Sequence, residues 1–239
     1  EPPAVDEATR KAHYEKLSRI GQQLTNGEVT YEDVLTDMQP PEWYEWYFHN
    51  DSEFLYPTSA QTVAYITRAF NDIQTIAQSY SDVQLNTGIN YIINNGCSDY
   101  MFALIDEDVP LEKRRDAVES FASVYENLYA LRCDNIPIEG GGANPLNTTC
   151  YMWWDIIPFY GKSGIEAREA LDEMMLTVMQ RTLFLDNYTC QQGALHGLGH
   201  WHYVYPQQVE TTIDAFLKRP NLHEEIILYA KQARTGHIL

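Results

Sequence analysis

Apolar side chains recur along this chain at alternating steps of three and four residues, and that spacing constrains the fold more than any other feature. One such stripe runs from Val63 through Ile66, Phe70 and Ile73 to Tyr80. A helix with about 3.6 residues per turn places these positions on one face, where they are buried together. Two further stripes have the same spacing: Val118, Phe121, Tyr125, Leu128 and Leu131, and then Leu171, Met174, Met175 and Val178. Since no convincing segment alternates with a period of two, the sequence predicts an all-α fold.

Residues that favour helix ends stand beside these stripes. Thr58 is followed three residues later by Gln61, which is the spacing of a capping box, and Pro110 with Leu111 marks another predicted helix start. Shorter helical segments bring the predicted total to about ten helices. They are predicted at 8–24, 30–38, 83–106, 149–157, 188–201, 207–218 and 222–235.

A segment rich in proline and glycine divides the chain at residues 136–146. Three consecutive glycines lie there between Pro137 and Pro145, and such a run breaks a helix. The sequence therefore predicts an N-terminal helical region at 1–135 and a C-terminal helical region at 147–239. We interpret the segment between them as a loop within one helical array rather than a hinge, because helices of similar length flank it.

A short motif repeats in the C-terminal region. The sequence NTTC at 147–150 is echoed forty residues later by NYTC at 187–190, and GHW at 199–201 is echoed by GHI at 236–238. A period near 40 with two helices per unit is the spacing of HEAT repeats. The segment QGALHGLGH at 192–200 resembles the first helix of a bacterial HEAT-like unit, which carries small residues where neighbouring helices approach closely.

The HEAT-like resemblance implies an α-solenoid, mainly over residues 147–239. In such a fold, helical hairpins stack into a right-handed array with a concave face that usually binds a partner. A fold of this kind implies no particular activity.

A histidine cluster is the strongest candidate site for chemistry. His196 and His200 are four residues apart, so they project from one helix face in a metal-chelating arrangement, and His202 is placed to add a third nitrogen. Zinc or copper would be the candidate ion. A zinc-protease helix carries glutamate after its first histidine, whereas Gly197 stands here. The competing interpretation is that these histidines pack between helices. We favour that interpretation, and we therefore expect no tightly held metal.

Aromatic residues form a second candidate site. Trp43 and Trp46 lie in one aromatic stretch, Trp153 and Trp154 lie in another, and Trp201 follows the histidines. Aromatic rings beside carboxylates grip sugars and cationic groups, so the sequence predicts these five tryptophans as ligand-binding residues. Sugar cleavage by paired carboxylates is a related possibility. The alternative interpretation is that the rings fill gaps between helices.

The cysteines suggest little redox chemistry. If Cys150 and Cys190 occupy equivalent positions in stacked repeats, a helix spacing of about 8–10 Å keeps them too far apart for an easy disulfide. We therefore expect these two thiols to be buried and unbridged. Pairing of Cys97 with Cys133 is allowed, because these residues flank a predicted helical hairpin.

Charge limits the partners of the chain. It carries 34 acidic and 16 basic residues, a formal charge of −18, which disfavours nucleic acid and anionic membrane surfaces. No run reaches the roughly 20 apolar residues of a membrane-spanning helix, so we predict no membrane insertion. The chain begins at Glu1 without methionine and contains three Asn-x-Ser/Thr triplets. On these grounds we expect a processed, secreted or periplasmic protein.

Taken together, these patterns favour a non-catalytic binding or scaffolding protein with a concave, aromatic-lined surface. The expected partner is a protein, a peptide, or a small molecule such as a sugar. One alternative is a metal-dependent protein, with hydrolysis as a candidate activity, built on His196, His200 and His202. The other is a carbohydrate-binding or small-ligand-binding protein.

Circular dichroism tests the all-α prediction directly. We expect a strongly helical spectrum, because every long periodic segment repeats at about 3.6 residues. A substantial β contribution would contradict both the fold class and the repeat interpretation.

Overall fold

The computed structural model describes residues 19, 22–23, 25–28, 58–135, 144–162, 164 and 166–238. The chain divides into two units, residues 1–57 and 58–239. In the first unit, residues 19, 22, 23, 25 and 26 are helical. The second unit holds all the elements discussed below, and it extends across the proline-glycine segment at 136–146.

Ten α-helices follow one another in the described part of the second unit, and no strand occurs among the residues described there. A 3₁₀ helix at Tyr100–Ile105 follows the third of them, and a π turn at Tyr125–Tyr129 follows the fourth. The all-α prediction is confirmed for these residues. The helices are α1 Ser59–Asn71, α2 Ile73–Ile76, α3 Asp82–Ile93, α4 Leu111–Val124, α5 Ala130–Arg132, α6 Leu146–Ile156, α7 Glu166–Leu183, α8 Tyr188–Trp201, α9 Pro206–Phe216 and α10 Glu224–Ala233.

Local hydrogen bonds explain where several helices begin and end. The predicted capping box is present at α1, where the Thr58 hydroxyl accepts from the Gln61 backbone N–H and the Gln61 side chain accepts from the Thr58 N–H. Ser81 and Gln84 form a second capping box at α3. The prediction of one continuous helix over residues 83–106 was wrong. The helix stops after Ile93, because the Asn94 side chain accepts the Gly96 backbone N–H and stabilises a turn.

The predicted helices at 8–24 and 30–38 lie outside the described residues, apart from the helical residues 19, 22 and 23. The stripe beginning at Val63 is divided at Asp72, which separates α1 from α2. Among the described residues, no helix has both the length and the hydropathy needed to cross a membrane.

Helix α8 lies at the centre of this unit. It packs against α6, α7, α9 and α10, while α4 packs against α1 and α7. Twelve of its residues are buried, including polar ones, so it is enclosed on nearly all sides. A helix in that position needs small residues where its neighbours are closest.

Two glycines bring α8 into direct contact with α6. A Cβ atom at Gly193 would lie 2.5 Å from the Cys150 carbonyl oxygen and 3.2 Å from the Tyr151 Cα, both backbone atoms of α6. A Cβ atom at Gly197 would lie 2.6 Å from the Trp154 side chain. The absence of side chains at these two positions is therefore what allows the two helices to touch.

The same contact corrects the distance assumed between Cys150 and Cys190, although both residues are buried as expected. The Sγ atoms of Cys150 and Cys190 are 3.8 Å apart, so the assumption that these thiols are distant was wrong. The assumed spacing was that of helices separated by ordinary side chains, and Gly193 removes that separation. All four cysteines are free thiols in the structure.

The first residues of the two copies of the repeated tetrapeptide have different local roles. Asn187 is the N-cap of α8, and its side chain accepts from the Cys190 backbone N–H. Asn147 lies inside α6, where its amide exchanges hydrogen bonds with Asp134. The repeat is thus approximate in its helix boundaries.

Replacing Gly193 with alanine tests the contact between α6 and α8. The new Cβ would overlap backbone atoms that cannot rotate away, so we expect Gly193→Ala to lower the free energy of unfolding by about 1–3 kcal/mol. Chemical denaturation measures the change. Gln192→Ala is the matched control, because it replaces a partly exposed neighbour in the same helix and should cost less than about 0.5 kcal/mol. Equal effects of the two variants would contradict the close approach.

Candidate metal-binding site

Three potential metal ligands converge where α6 and α8 face each other. The Nε2 atoms of His196 and His200 are 3.2 Å apart, and the His200 Nε2 is 3.6 Å from the Asp155 Oδ1. All three candidate ligand atoms lie within 4.8 Å of one another. Ligand atoms bound at about 2.0–2.1 Å to one tetrahedral ion are separated by about 3.3 Å, so the His196–His200 and His200–Asp155 separations are close to those that a single ion requires.

Helix geometry explains how these side chains come together. His196 and His200 are one turn apart on α8, so they share a face. Their rings meet edge to face, with the ring centroids 4.6 Å apart. Asp155 lies in the last turn of α6. The contact at Gly193 and Gly197 holds the two helices side by side and brings the carboxylate to the imidazoles.

Exposure differs strongly among the three side chains. His196 is only 3% exposed, whereas the side chains of His200 and Asp155 are 41% and 44% exposed. The cluster is therefore anchored in the protein at one ligand and open to solvent at the other two. An ion held there would keep coordination positions that a water molecule or a substrate can reach.

Two tyrosines hold the far side of the His196 ring. Its Nδ1 is 2.7 Å from the Tyr229 hydroxyl and 3.1 Å from the Tyr151 hydroxyl, and the two hydroxyls are 3.2 Å apart. When Nδ1 carries the proton it donates to the Tyr229 oxygen, which leaves the Nε2 lone pair directed at the cluster. Support of this kind fixes the orientation and tautomer of metal-binding histidines.

The electrostatic surroundings keep the His196 imidazole neutral. Burial and then the neighbouring His200 lower the pKa of His196 from 6.5 to about 4, although the Asp155 carboxylate opposes the shift. Burial and the hydrogen bond with Tyr151 raise the pKa of Tyr229, so that phenol stays protonated. Because a metal binds the neutral imidazole, His196 is in its ligating charge state near neutral pH.

His202, the third predicted ligand, lies elsewhere. Its Nε2 is 3.3 Å from the Glu210 Oε1, and Glu210 also pairs with Arg234. The structure thus brings His196 and His200 together, as predicted. It places His202 beside Glu210 of α9 instead, and Asp155 is the third potential metal ligand. A residue on α6 therefore takes the place that was predicted for a residue just beyond α8.

The predicted tryptophans that the structure describes are packing residues. Trp153 is buried among the rings of Phe70, Phe121 and Tyr125. Trp154 is buried against Gly197, and Trp201 is buried and stacked on Tyr205.

These three rings fill the helical core and present no exposed aromatic face. The burial of Trp153, Trp154 and Trp201 agrees with the alternative interpretation that these rings fill gaps between helices. Trp43 and Trp46 lie outside the described residues.

Sequence reasoning missed Asp155, Tyr151 and Tyr229 as members of this site. One signal for Asp155 was present in the tetrapeptide repeat. The forty-residue offset between Cys150 and Cys190 places position 155 level with position 195, one residue before His196. Tyr229 had no comparable signal, because its approach depends on how α10 docks against α8.

Comparison of the chain with protein-family models, with curated proteins and with solved structures finds no match.

The pH dependence of stability tests the environment of His196. Its pKa is about 4 in the folded chain and near 6.5 when unfolded, so the unfolded chain binds more protons between these values. The contribution of His196 to the free energy of unfolding is therefore present above pH 6.5 and is lost as the pH falls toward 4. Over this range the free energy of unfolding changes by at most about 1.4 kcal/mol per pH unit because of this one group.

The measurement is denaturant unfolding at several pH values in the presence of a chelator. His196→Gln lacks the titrating ring, so we expect its stability to fall less steeply than that of the unmodified chain over this range. Parallel profiles for the two proteins would show that His196 titrates normally in the folded state.

Proposed function

We propose that this protein binds a divalent first-row transition metal ion, with zinc or copper as the leading candidates, through Asp155, His196 and His200. The observation that carries the proposal is the ligand spacing of 3.2 Å between the imidazole nitrogens and 3.6 Å to the carboxylate oxygen. Mutual hydrogen bonding explains the imidazole pair by itself. It does not account for the Asp155 carboxylate, whose oxygen lies 3.6 Å from the His200 nitrogen.

The donor set indicates the class of ion. Two imidazoles and one carboxylate suit zinc, copper or iron, whereas calcium and magnesium prefer oxygen ligands throughout. Three protein ligands with an open side are typical of catalytic rather than structural zinc sites. We therefore favour a metal-dependent protein, and hydrolysis by a metal-activated water is the reaction class that such a site supports.

The finer architecture is part of the same proposal. We propose that the C-terminal helices stack as HEAT-like pairs, and the glycine-mediated contact of α6 with α8 supports this arrangement. We also propose an extracytoplasmic location and a partner that is a protein, a peptide or a small molecule such as a sugar. A binding surface built on Trp153, Trp154 and Trp201 is disfavoured, because these rings are buried.

Zinc titration of chelator-treated, untagged protein tests the metal site. We expect one equivalent of zinc to bind. Asp155→Asn and His200→Ala should each weaken binding by at least about tenfold, since even residues that only support a ligand contribute about 10–100-fold. Both side chains are partly exposed, so the helical circular dichroism signal should be unchanged.

His202→Ala is the matched control, because it removes a histidine of the same sequence cluster that pairs with Glu210 instead. We expect it to bind zinc as the unmodified protein does. Absence of stoichiometric binding, or an equal loss in His202→Ala and His200→Ala, would contradict the proposed ligand set.

A further inference from the structure

Three cysteine thiols meet inside the protein at the opposite end of the contact between α6 and α8 from the metal ligands. Cys150 and Cys190 are fully buried with their sulfur atoms 3.8 Å apart, and the Cys133 thiol also contacts Cys150. Cys97 is separate, since it is exposed and its sulfur accepts a hydrogen bond from the Asn90 amide.

The backbone around the closest pair is in contact as well. Gly193 lies one turn after Cys190 on α8, and its Cα faces the Cys150 carbonyl so closely that a Cβ would lie 2.5 Å from that oxygen. Disulfides need backbones that are unusually near, with Cα atoms about 4.4–6.8 Å apart. Two helices separated by ordinary side chains do not meet this condition, whereas the backbone of α8 at Gly193, one turn from Cys190, touches the backbone of α6 at Cys150.

We propose that Cys150 and Cys190 form an intrachain disulfide when the chain folds in an oxidising medium. Bond formation needs the two sulfur atoms to move from 3.8 Å to about 2.05 Å, a shift that side-chain rotations at both residues can share. This modification site depends on the helix contact and is independent of the metal proposal.

The chemistry is thiol–disulfide exchange with a small-molecule disulfide as the oxidant. One cysteine thiolate attacks the oxidant, forming a mixed disulfide and releasing one small thiol. The second cysteine then attacks the mixed disulfide and releases the other small thiol. The two cysteine protons and two electrons thus end on the two released thiols. Because both residues are buried in the folded chain, exchange takes place before α8 docks on α6 or when the contact opens.

Cys133 is the competing partner for Cys150. It lies just after α5, and its carbonyl accepts from the Asn187 side chain while its N–H donates to the Tyr129 carbonyl. Among the described residues, no glycine brings the backbone of Cys133 against α6 as Gly193 does for the backbone near Cys190. We therefore assign the bond to Cys190, and the experiment distinguishes the two pairings.

Refolding the full chain with a mixture of oxidised and reduced glutathione, followed by alkylation and peptide mapping without reduction, tests the proposal. We expect a linked peptide pair containing Cys150 and Cys190, with Cys97 and Cys133 alkylated. Recovery of Cys150 and Cys190 as alkylated thiols would overturn the proposal. So would a link between Cys150 and Cys133.

A stability measurement provides a second readout on the same protein. The bond closes a loop of about forty residues, so the oxidised chain should melt on the order of 10 °C higher than the chain refolded with reductant. Cys97→Ser should retain this difference, and Cys190→Ser should lose it. An equal difference in Cys190→Ser would assign the stabilisation to another pair and contradict the proposal.

Discussion

The direct contact between the backbones of α6 and α8 is the constraint on which the rest of this structure depends. Gly193 and Gly197 present no side chain toward α6, so its backbone at Cys150 and its ring at Trp154 fill the space that side chains would take. Glycine inside a helix costs about 0.5–1 kcal/mol relative to alanine. Dispersion contacts between the closely approaching atoms of the two helices offset that cost.

Two chemically distinct clusters result from this single contact. At one end of the interface it places buried thiols together, and at the other it places a carboxylate beside two imidazoles. The histidine end combines opposite environments. His196 is buried, kept neutral and held by Tyr229, whereas His200 and Asp155 face solvent. A rigid inner ligand with two outer ligands accessible to solvent is an arrangement that positions an ion and leaves it reachable.

Helix type and several helix ends were predictable because they depend on local interactions. The apolar stripe from Val63, the capping box at Thr58 and the helix at 188–201 all follow from residues within a few positions of one another. The break after Ile93 was not anticipated, because a turn formed by the Asn94 side chain competed with the apolar pattern.

The composition of the site depended on contacts between distant segments. The sequence paired His196 with His200 correctly as residues of one helix face, since that follows from helical geometry alone. It chose His202 as the third group by proximity in sequence, whereas Asp155 arrives through packing and His202 turns to Glu210. The tryptophans illustrate the same limit, because burial of Trp153, Trp154 and Trp201 is set by which helices cover them.

X-ray absorption at the zinc edge of the zinc-loaded protein tests the proposed metal site most directly. The contact of α6 with α8 offers an ion either imidazole and carboxylate ligands at one end or thiols at the other. We expect a first shell of nitrogen and oxygen at about 2.0–2.1 Å with the outer-shell signature of two imidazoles. Sulfur neighbours at about 2.3 Å, or a shell without imidazole, would contradict the assignment of Asp155, His196 and His200 as the metal site.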